Sequence, residues 1–125
     1  MLQVSRQGGN VRIIDSMNKV GLTELRQMAA DMFGDLVKAV VDVKQGIMAI
    51  DAELHADEEA MLLENGSDQS NLWGINLYPE LEPGDFVEYD SMINLRPAQG
   101  NRGRGVENLE IRARIQDIVS SLVIR

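Results

Sequence analysis

The chain has 125 residues, of which 44% are hydrophobic and 26% charged, and its formal net charge is −8. This length and composition are typical of one soluble domain with its own core, and the absence of cysteine excludes disulfides, thiolate metal ligands and cysteine nucleophiles. No run of about 18 apolar residues is present and the acidic balance argues against a nucleic-acid partner, so we expect a cytoplasmic protein that contacts neither membrane nor nucleic acid.

The first third of the chain predicts a strand and a helix. Residues 1–10 are predicted to be a flexible lead-in to a single α+β domain over residues 11–125, and residues 11–14 form a short apolar strand candidate. Apolar side chains then recur at three- and four-residue spacings, which predicts a helix: Leu22, Leu25, Met28, Ala29, Met32 and Phe33. Thr23 is the expected N-cap and Gly34 the expected end of this helix.

The middle of the chain predicts a β-hairpin followed by a short helix. Residues 36–43 and 47–54 are rich in apolar and β-branched side chains, and the tight turn at residues 44–46 separates them. The next helix begins at His55 and stops at residues 65–66. Its first turn is acidic, as the positive end of a helix dipole favours: Asp57, Glu58 and Glu59.

The last third predicts a second hairpin and a terminal helix. Residues 71–78 and 86–95 are the expected strands, and residues 79–85 carry two prolines and a glycine that predict a turn. Asn108 is the expected cap of the last helix, which has a continuous apolar stripe: Ile111, Ile115, Ile118, Val119 and Leu122. The resulting order, β-α-β-β-α-β-β-α, predicts an α+β fold with a mostly antiparallel or mixed sheet and helices packed on it.

Four strings of this sequence resemble a known family when they are taken together. They are FGDLVKAVVD at residues 33–42, ELHADEE at 53–59, NLWGINLYP at 71–79 and SMINLRPAQGNRGRG at 91–105. This combination resembles a family of small prokaryotic proteins catalogued as a domain of unknown function, over residues 11–125. The resemblance implies no activity, substrate, cofactor or site residue.

The stretch at residues 91–105 is the first candidate for a ligand site. It is basic and glycine-rich in an acidic chain, and its predicted ligand-binding residues are Asn94, Arg96, Gln99, Asn101, Arg102 and Arg104. Arginine forks pair with phosphate or carboxylate groups, and glycines let the backbone approach a ligand closely. The stretch also leads into a helix N-terminus, which favours anions. We therefore predict that this loop holds an anionic or phosphorylated small ligand.

A purely structural interpretation of the same loop stays open. The stretch matches neither the dinucleotide fingerprint nor the phosphate-binding P-loop, because it lacks their residue spacing. Its arginines could instead pair with acids that precede them in the chain: Glu80, Glu82, Asp85, Glu88 and Asp90.

His55, which is the only histidine, is a secondary candidate. A histidine near carboxylates can act as a general base or bind a divalent metal. The simpler interpretation is that His55 and the acids after it begin a helix, and we predict no metal site and no cofactor. The aromatic residues could stack on bases beside the basic loop, but strand alternation favours a core role: Trp73, Tyr78, Phe86 and Tyr89.

Three functional hypotheses follow from these residues. The first is a small binding protein that captures an anionic ligand through Arg96, Arg102 and Arg104. The alternative is a homodimer or other interaction protein, joined by sheet edges or by the C-terminal helix. The third is an enzyme that uses His55 beside the arginine loop. The binding and interaction hypotheses are favoured, because the sequence shows no paired acid and base and no oriented nucleophile.

Overall fold

The computed structural model describes residues 11–125, so the predicted lead-in at residues 1–10 lies outside the described residues. The described residues form seven strands and three α-helices, which confirms the α+β class. In chain order they are β1 (Arg12–Ile14), β2 (Val20–Gly21), α1 (Leu22–Asp31), β3 (Val37–Asp42), β4 (Ile47–Ile50), α2 (His55–Glu64), β5 (Leu72–Leu77), β6 (Val87–Glu88), α3 (Leu109–Leu122) and β7 (Val123–Ile124). Within residues 11–125, no helix has both the length and the apolar character needed to cross a membrane.

Five of the strands form one antiparallel sheet in the order β1-β4-β3-β5-β6. The central pairing joins β3 to β5 along six residues, with Val41 opposite Trp73 and Val37 opposite Leu77. The edge strand β6 pairs with β5 only at Asn76 and Leu77, so the first part of β5 lacks a strand neighbour on that side. Strands β2 and β7 form a separate parallel pair that ties the two ends of the described domain together.

The two faces of the sheet carry two separate hydrophobic clusters. The larger cluster lies between the sheet and the helices α1 and α3, and Trp73, Ile75 and Leu77 of β5 all belong to it, which gives Trp73 its predicted core role. The smaller cluster lies on the opposite face, where Leu62 of α2 packs near Val40. Helix α2 therefore covers one face alone, and this leaves room beside it for a pocket.

The helices agree closely with their sequence patterns. Asn108 caps α3 as predicted, since its side chain accepts the backbone N–H groups of Glu110 and Ile111 at 2.9 and 3.0 Å. The predicted N-cap Thr23 is wrong, because α1 begins at Leu22 and its N-cap is Gly21, two residues earlier. Glu24 accepts the backbone N–H of Gly21 at 3.0 Å and holds the start of the helix there.

Two predicted strands are too long. The prediction for residues 47–54 fails after Ile50, because Asp51 adopts a positive φ of 73° and turns the chain toward α2. The prediction for residues 86–95 fails after Glu88, because the chain leaves the sheet there. Ser91 accepts the backbone N–H of Ile93 and starts a 3₁₀ turn, so the following residues do not share one strand face.

Candidate functional site

Side chains of the loop at residues 91–105 close the open edge of β5. The side-chain amide of Asn94 takes the place of a neighbouring strand, because its Oδ1 accepts the N–H of Gly74 and its Nδ2 donates to the Gly74 carbonyl, both at 2.9 Å. Asn94 is fully buried. A buried backbone N–H or C=O without a partner is costly, so this pairing stabilises the sheet edge.

Arg96 closes the same edge further along. Its guanidinium donates to the backbone carbonyls of Ile93, Gln69 and Leu72, and it stacks over the Trp73 ring at 4.4 Å from the ring centroid. Only 9% of the residue is exposed. The guanidinium of Arg96 is thus occupied by the protein itself, which indicates a structural role.

The loop is also tied together internally by Asn101. Its backbone exchanges hydrogen bonds with that of Arg96 at 2.8 and 3.0 Å. Its side-chain Nδ2 donates to the carbonyls of Asn94 and Gly105 at 2.7 and 2.8 Å, while its Oδ1 accepts the N–H of Glu107. Gln99 is exposed at the tip, where it contacts Arg96 and the Ser70 carbonyl.

The remaining two loop arginines lie in different surroundings. Arg104 pairs with Asp90 through Nε at 2.6 Å, so one of the five predicted internal acids has this role. Its backbone carbonyl is held by Asn94 Nδ2 at 2.9 Å and by the Ser91 N–H at 3.0 Å. Arg102 is exposed and forms no side-chain hydrogen bond or ion pair with any described residue. The structure therefore does not gather Arg96, Arg102 and Arg104 around one point.

A pocket of about 480 Å³ opens beside α2, on the face of the sheet opposite α1 and α3. This volume falls in the range of small-molecule sites, roughly 300–1,000 Å³. Of the six predicted loop residues, Arg104 alone lines it, and His55 lines it from the start of α2. The complete lining consists of Phe33, Leu36, Lys38, Leu54, His55, Ala56, Asn76, Asp90, Ser91, Met92, Ile93 and Arg104.

The buried part of the pocket is polar. His55 bonds through Nε2 to the Ile75 carbonyl at 2.8 Å, so Nε2 carries the proton in the neutral ring. Burial lowers the pKa of His55, although the bond to the Ile75 carbonyl partly opposes this shift. Asn76 donates to Glu88 and to the Asp90 carbonyl, and its Oδ1 is buried without a partner among the described residues. Ser91 is also buried here.

The charges of the pocket come from Lys38, Arg104 and Asp90. Lys38 extends from the α2 face of β3, where its ammonium lies 4.9 Å from the centroid of the Phe33 ring and forms no salt bridge with a described residue. The hydrogen bond from Arg104 holds the pKa of Asp90 below its usual range. With His55 neutral, the three charges sum to +1, which favours an anion.

The mouth of the pocket is apolar. Phe33, Leu54 and Met92 are 38%, 54% and 62% exposed, and all three line this pocket. Large exposed apolar side chains that cluster around a concave site indicate a binding surface. Sequence reasoning singled out His55 and Arg104 but missed Lys38, Asn76 and this mouth. A lone lysine on the α2 face of an otherwise buried strand was the available signal.

A buried carboxyl group lies under the helix that carries His55. Glu58 is fully buried; its Oε2 accepts the Ala52 N–H at 3.1 Å, and its Oε1 lacks a partner among the described residues. Burial raises the pKa of Glu58 well above its ordinary range. Since the folded state keeps this proton to higher pH than the unfolded chain does, the free energy of unfolding falls as the pH rises above the unfolded pKa.

We therefore expect Glu58→Gln to gain stability relative to the parent chain as the pH rises from 5 to 8. The difference grows by up to about 1.4 kcal/mol per pH unit while the folded carboxyl stays protonated, because one proton separates the two states. Urea unfolding at four pH values measures this, with the exposed Glu64→Gln of the same helix as the control. An identical difference at pH 5 and pH 8 would contradict the assignment.

Comparison with known proteins assigns the chain to a family but gives no activity for it. Residues 12–122 match the model of a family described as "Protein of unknown function (DUF5674)". No curated protein and no solved structure matches the chain. Among the described residues, no group of three His, Asp or Glu side chains is arranged to hold a metal ion.

Proposed function

The chain belongs to the DUF5674 family of proteins of unknown function, and we propose that it is a small binding protein whose pocket beside α2 holds a ligand with an anionic group. One observation carries this proposal: Lys38 and Arg104 line the same pocket, and the ammonium of Lys38 has no salt-bridge partner among the described residues. Of the loop residues that were predicted to bind an anion, this proposal keeps Arg104 alone, and it adds Lys38 from β3.

The environment strengthens the attraction of these two cations for an anion. Lys38 is half-buried beside apolar side chains, so its attraction for an anion is less screened than in bulk solvent, whereas half of the Arg104 side chain is exposed. Arg104 donates a hydrogen bond from Nε to Asp90, and its two Nη groups make no hydrogen bond with the described residues. Asp90 thereby orients the guanidinium and leaves its outer edge for a carboxylate or phosphate oxygen.

His55 supports an enzyme as the second candidate function. The imidazole shares the pocket with Arg104, and its bond to the Ile75 carbonyl leaves Nδ1 as the basic atom. A neutral imidazole can act as a general base toward a substrate proton within hydrogen-bond reach of its free nitrogen. Binding is ranked first, because no described side chain hydrogen-bonds to Nδ1 of His55, so no acid–base pair is assembled there.

The homodimer alternative, the cytoplasmic location and the prokaryotic origin stay predictions. The apolar stripe of α3 packs on the sheet within one chain, through Ile115, Ile118, Val119 and Leu122. The edges of the five-stranded sheet, β1 and β6, are the surfaces on which a second copy would pair.

The binding proposal is tested with paired arginine variants. We expect a small anion from a panel of acetate, hexanoate, inorganic phosphate and pyrophosphate to raise the unfolding temperature of the parent chain. Arg104→Gln should weaken that binding by about tenfold or more, because a charge-assisted hydrogen bond is lost. Arg102→Gln removes the same charge from the same loop outside the pocket, and it should change affinity by no more than about twofold because the exposed charge is screened by salt.

The double variant Asp90→Asn/Arg104→Gln separates the two effects of losing Arg104. It removes the unpaired carboxylate along with the guanidinium, so the net charge of the pocket returns to that of the parent. Weak binding by this variant as well shows that the guanidinium itself holds the anion. Equal losses in Arg102→Gln and Arg104→Gln, or no stabilisation by any anion of the panel, would overturn the proposal.

A further inference from the structure

We infer that the anion bound beside α2 is a monocarboxylate with an apolar chain, and this inference rests on the proposed anion-binding function. The pocket has two features that such a ligand would match, an apolar mouth and a single excess positive charge, and a third that disfavours phosphate, a buried acceptor. Each feature comes from different residues.

The mouth predicts an apolar portion. Phe33 comes from the turn after α1, Leu54 from the turn before α2, and Met92 from the 3₁₀ turn after β6, yet their exposed side chains line one pocket. Leu36 and Ile93 extend this apolar wall inward. A bare phosphate or acetate would leave all of this surface in water, whereas an alkyl or aryl chain would cover it.

The charges predict a single negative charge on the ligand. Lys38 and Arg104 contribute two positive charges, and Asp90 is held in its ionised form by the Arg104 hydrogen bond. One carboxylate neutralises the remaining charge. A dianionic phosphate would leave one negative charge in excess and would lie close to the carboxylate of Asp90, which repels it.

The buried end of the pocket disfavours further anionic oxygens. The Asn76 amide is oriented by two acceptors, Glu88 Oε1 and the Asp90 carbonyl, so the NH₂ group faces them and Oδ1 is left as an unpartnered acceptor. An anionic oxygen placed close to this acceptor is repelled by it. A carboxylate brings fewer and less charged oxygens to this acceptor than a phosphate dianion does, so it is repelled less.

Four probes that differ in chain length or in charged group test this inference on the full chain by calorimetric titration at pH 7.5: hexanoate, acetate, inorganic phosphate and 1-hexanol. We expect hexanoate to bind at least tenfold more tightly than each of the others, because each buried methylene contributes about fourfold. Met92→Ser should weaken the binding of hexanoate and leave the affinity for acetate unchanged. Leu109→Ser, which removes a 77% exposed side chain away from the pocket, is the matched control.

The possible outcomes distinguish failure of the monocarboxylate inference from failure of the proposed anion-binding function. Phosphate binding equal to or tighter than hexanoate would overturn the monocarboxylate class and leave anion binding standing. Hexanoate and 1-hexanol binding equally would overturn both, since the carboxylate would then contribute nothing. Absence of binding by every anion would likewise overturn both. If Met92→Ser and Leu109→Ser weakened hexanoate binding equally, the alkyl chain would not lie at the mouth of the pocket, and the inference would be overturned.

Discussion

Gly74→Ala is expected to lower the free energy of unfolding by roughly 3 kcal/mol, because it places a methyl group where the packed protein has no space. A Cβ at this position would lie 2.5 Å from Ser91 Cβ and 2.6 Å from Ser91 Oγ. Ser91 Cβ is bonded to the backbone and cannot rotate away, so the loop itself must shift. Urea unfolding measures the loss, which corresponds to a melting temperature lower by about 10 °C for a domain of this size.

Two further variants make this prediction specific. Gly84→Ala is the matched control, because a Cβ there meets no heavy atom within 4 Å, and its effect should stay within about 0.5 kcal/mol. Gly74→Ala/Ser91→Gly removes the nearest obstacle and should recover part of the lost stability, although Ile93 Cγ1 still lies 3.2 Å away. A Gly74→Ala variant as stable as Gly84→Ala would show that the loop does not press against β5.

Asn94→Ala is expected to lower the free energy of unfolding by at least as much, roughly 3–5 kcal/mol, because it leaves buried backbone groups of β5 without hydrogen-bond partners. The substitution leaves both the N–H and the carbonyl of Gly74 without these partners, and it removes one of the two hydrogen bonds to the carbonyl of Arg104. Since that carbonyl fixes the position of Arg104 at the pocket, anion affinity should fall as well in the molecules that remain folded. Urea unfolding and titration at low temperature measure the two effects.

Asn65→Ala is the control for that substitution. Asn65 is exposed at the end of α2, where its side chain donates to the Met61 carbonyl at 2.8 Å, so its loss should cost no more than about 1 kcal/mol. If Asn94→Ala were no worse than Asn65→Ala, the amide of Asn94 would not be acting as a substitute strand. If Asn94→Ala kept full anion affinity, the link from the sheet edge to Arg104 would be wrong.

The parts of the fold that sequence predicts well depend on local patterns. The cap at Asn108 and the apolar stripe of α3 lie within one stretch of chain, so spacing alone indicates them. The end of β6 after Glu88 was not predictable in this way. Residues 86–95 alternate as a strand does, but Asn94 and Arg96 hydrogen-bond to β5 with side chains instead of backbone. The parallel pairing of β2 with β7 joins residues about a hundred positions apart, and no local pattern shows it.

The sequence indicated some of the site residues, but it did not indicate which of them lie together in one pocket. Glycine and arginine content drew attention to the loop, and His55 stood out as the only histidine. Composition gives no indication that Arg96 donates to three carbonyls while Arg104 faces a pocket. That division depends on how the loop lies against β5. Lys38 reaches the same pocket only because β3 turns that side chain to the α2 face.

The anion is proposed to lie between Lys38 and Arg104, and chemical-shift mapping of the ¹⁵N-labelled chain with hexanoate tests this position most directly. We predict saturable shifts that cluster at the backbone amides of Lys38, His55, Asn76, Ser91 and Arg104, with the amide of Arg102 little changed. The same titration of Arg104→Gln should show these shifts strongly reduced. Shifts centred on the loop tip at residues 99–102, or none that saturate, would contradict the account.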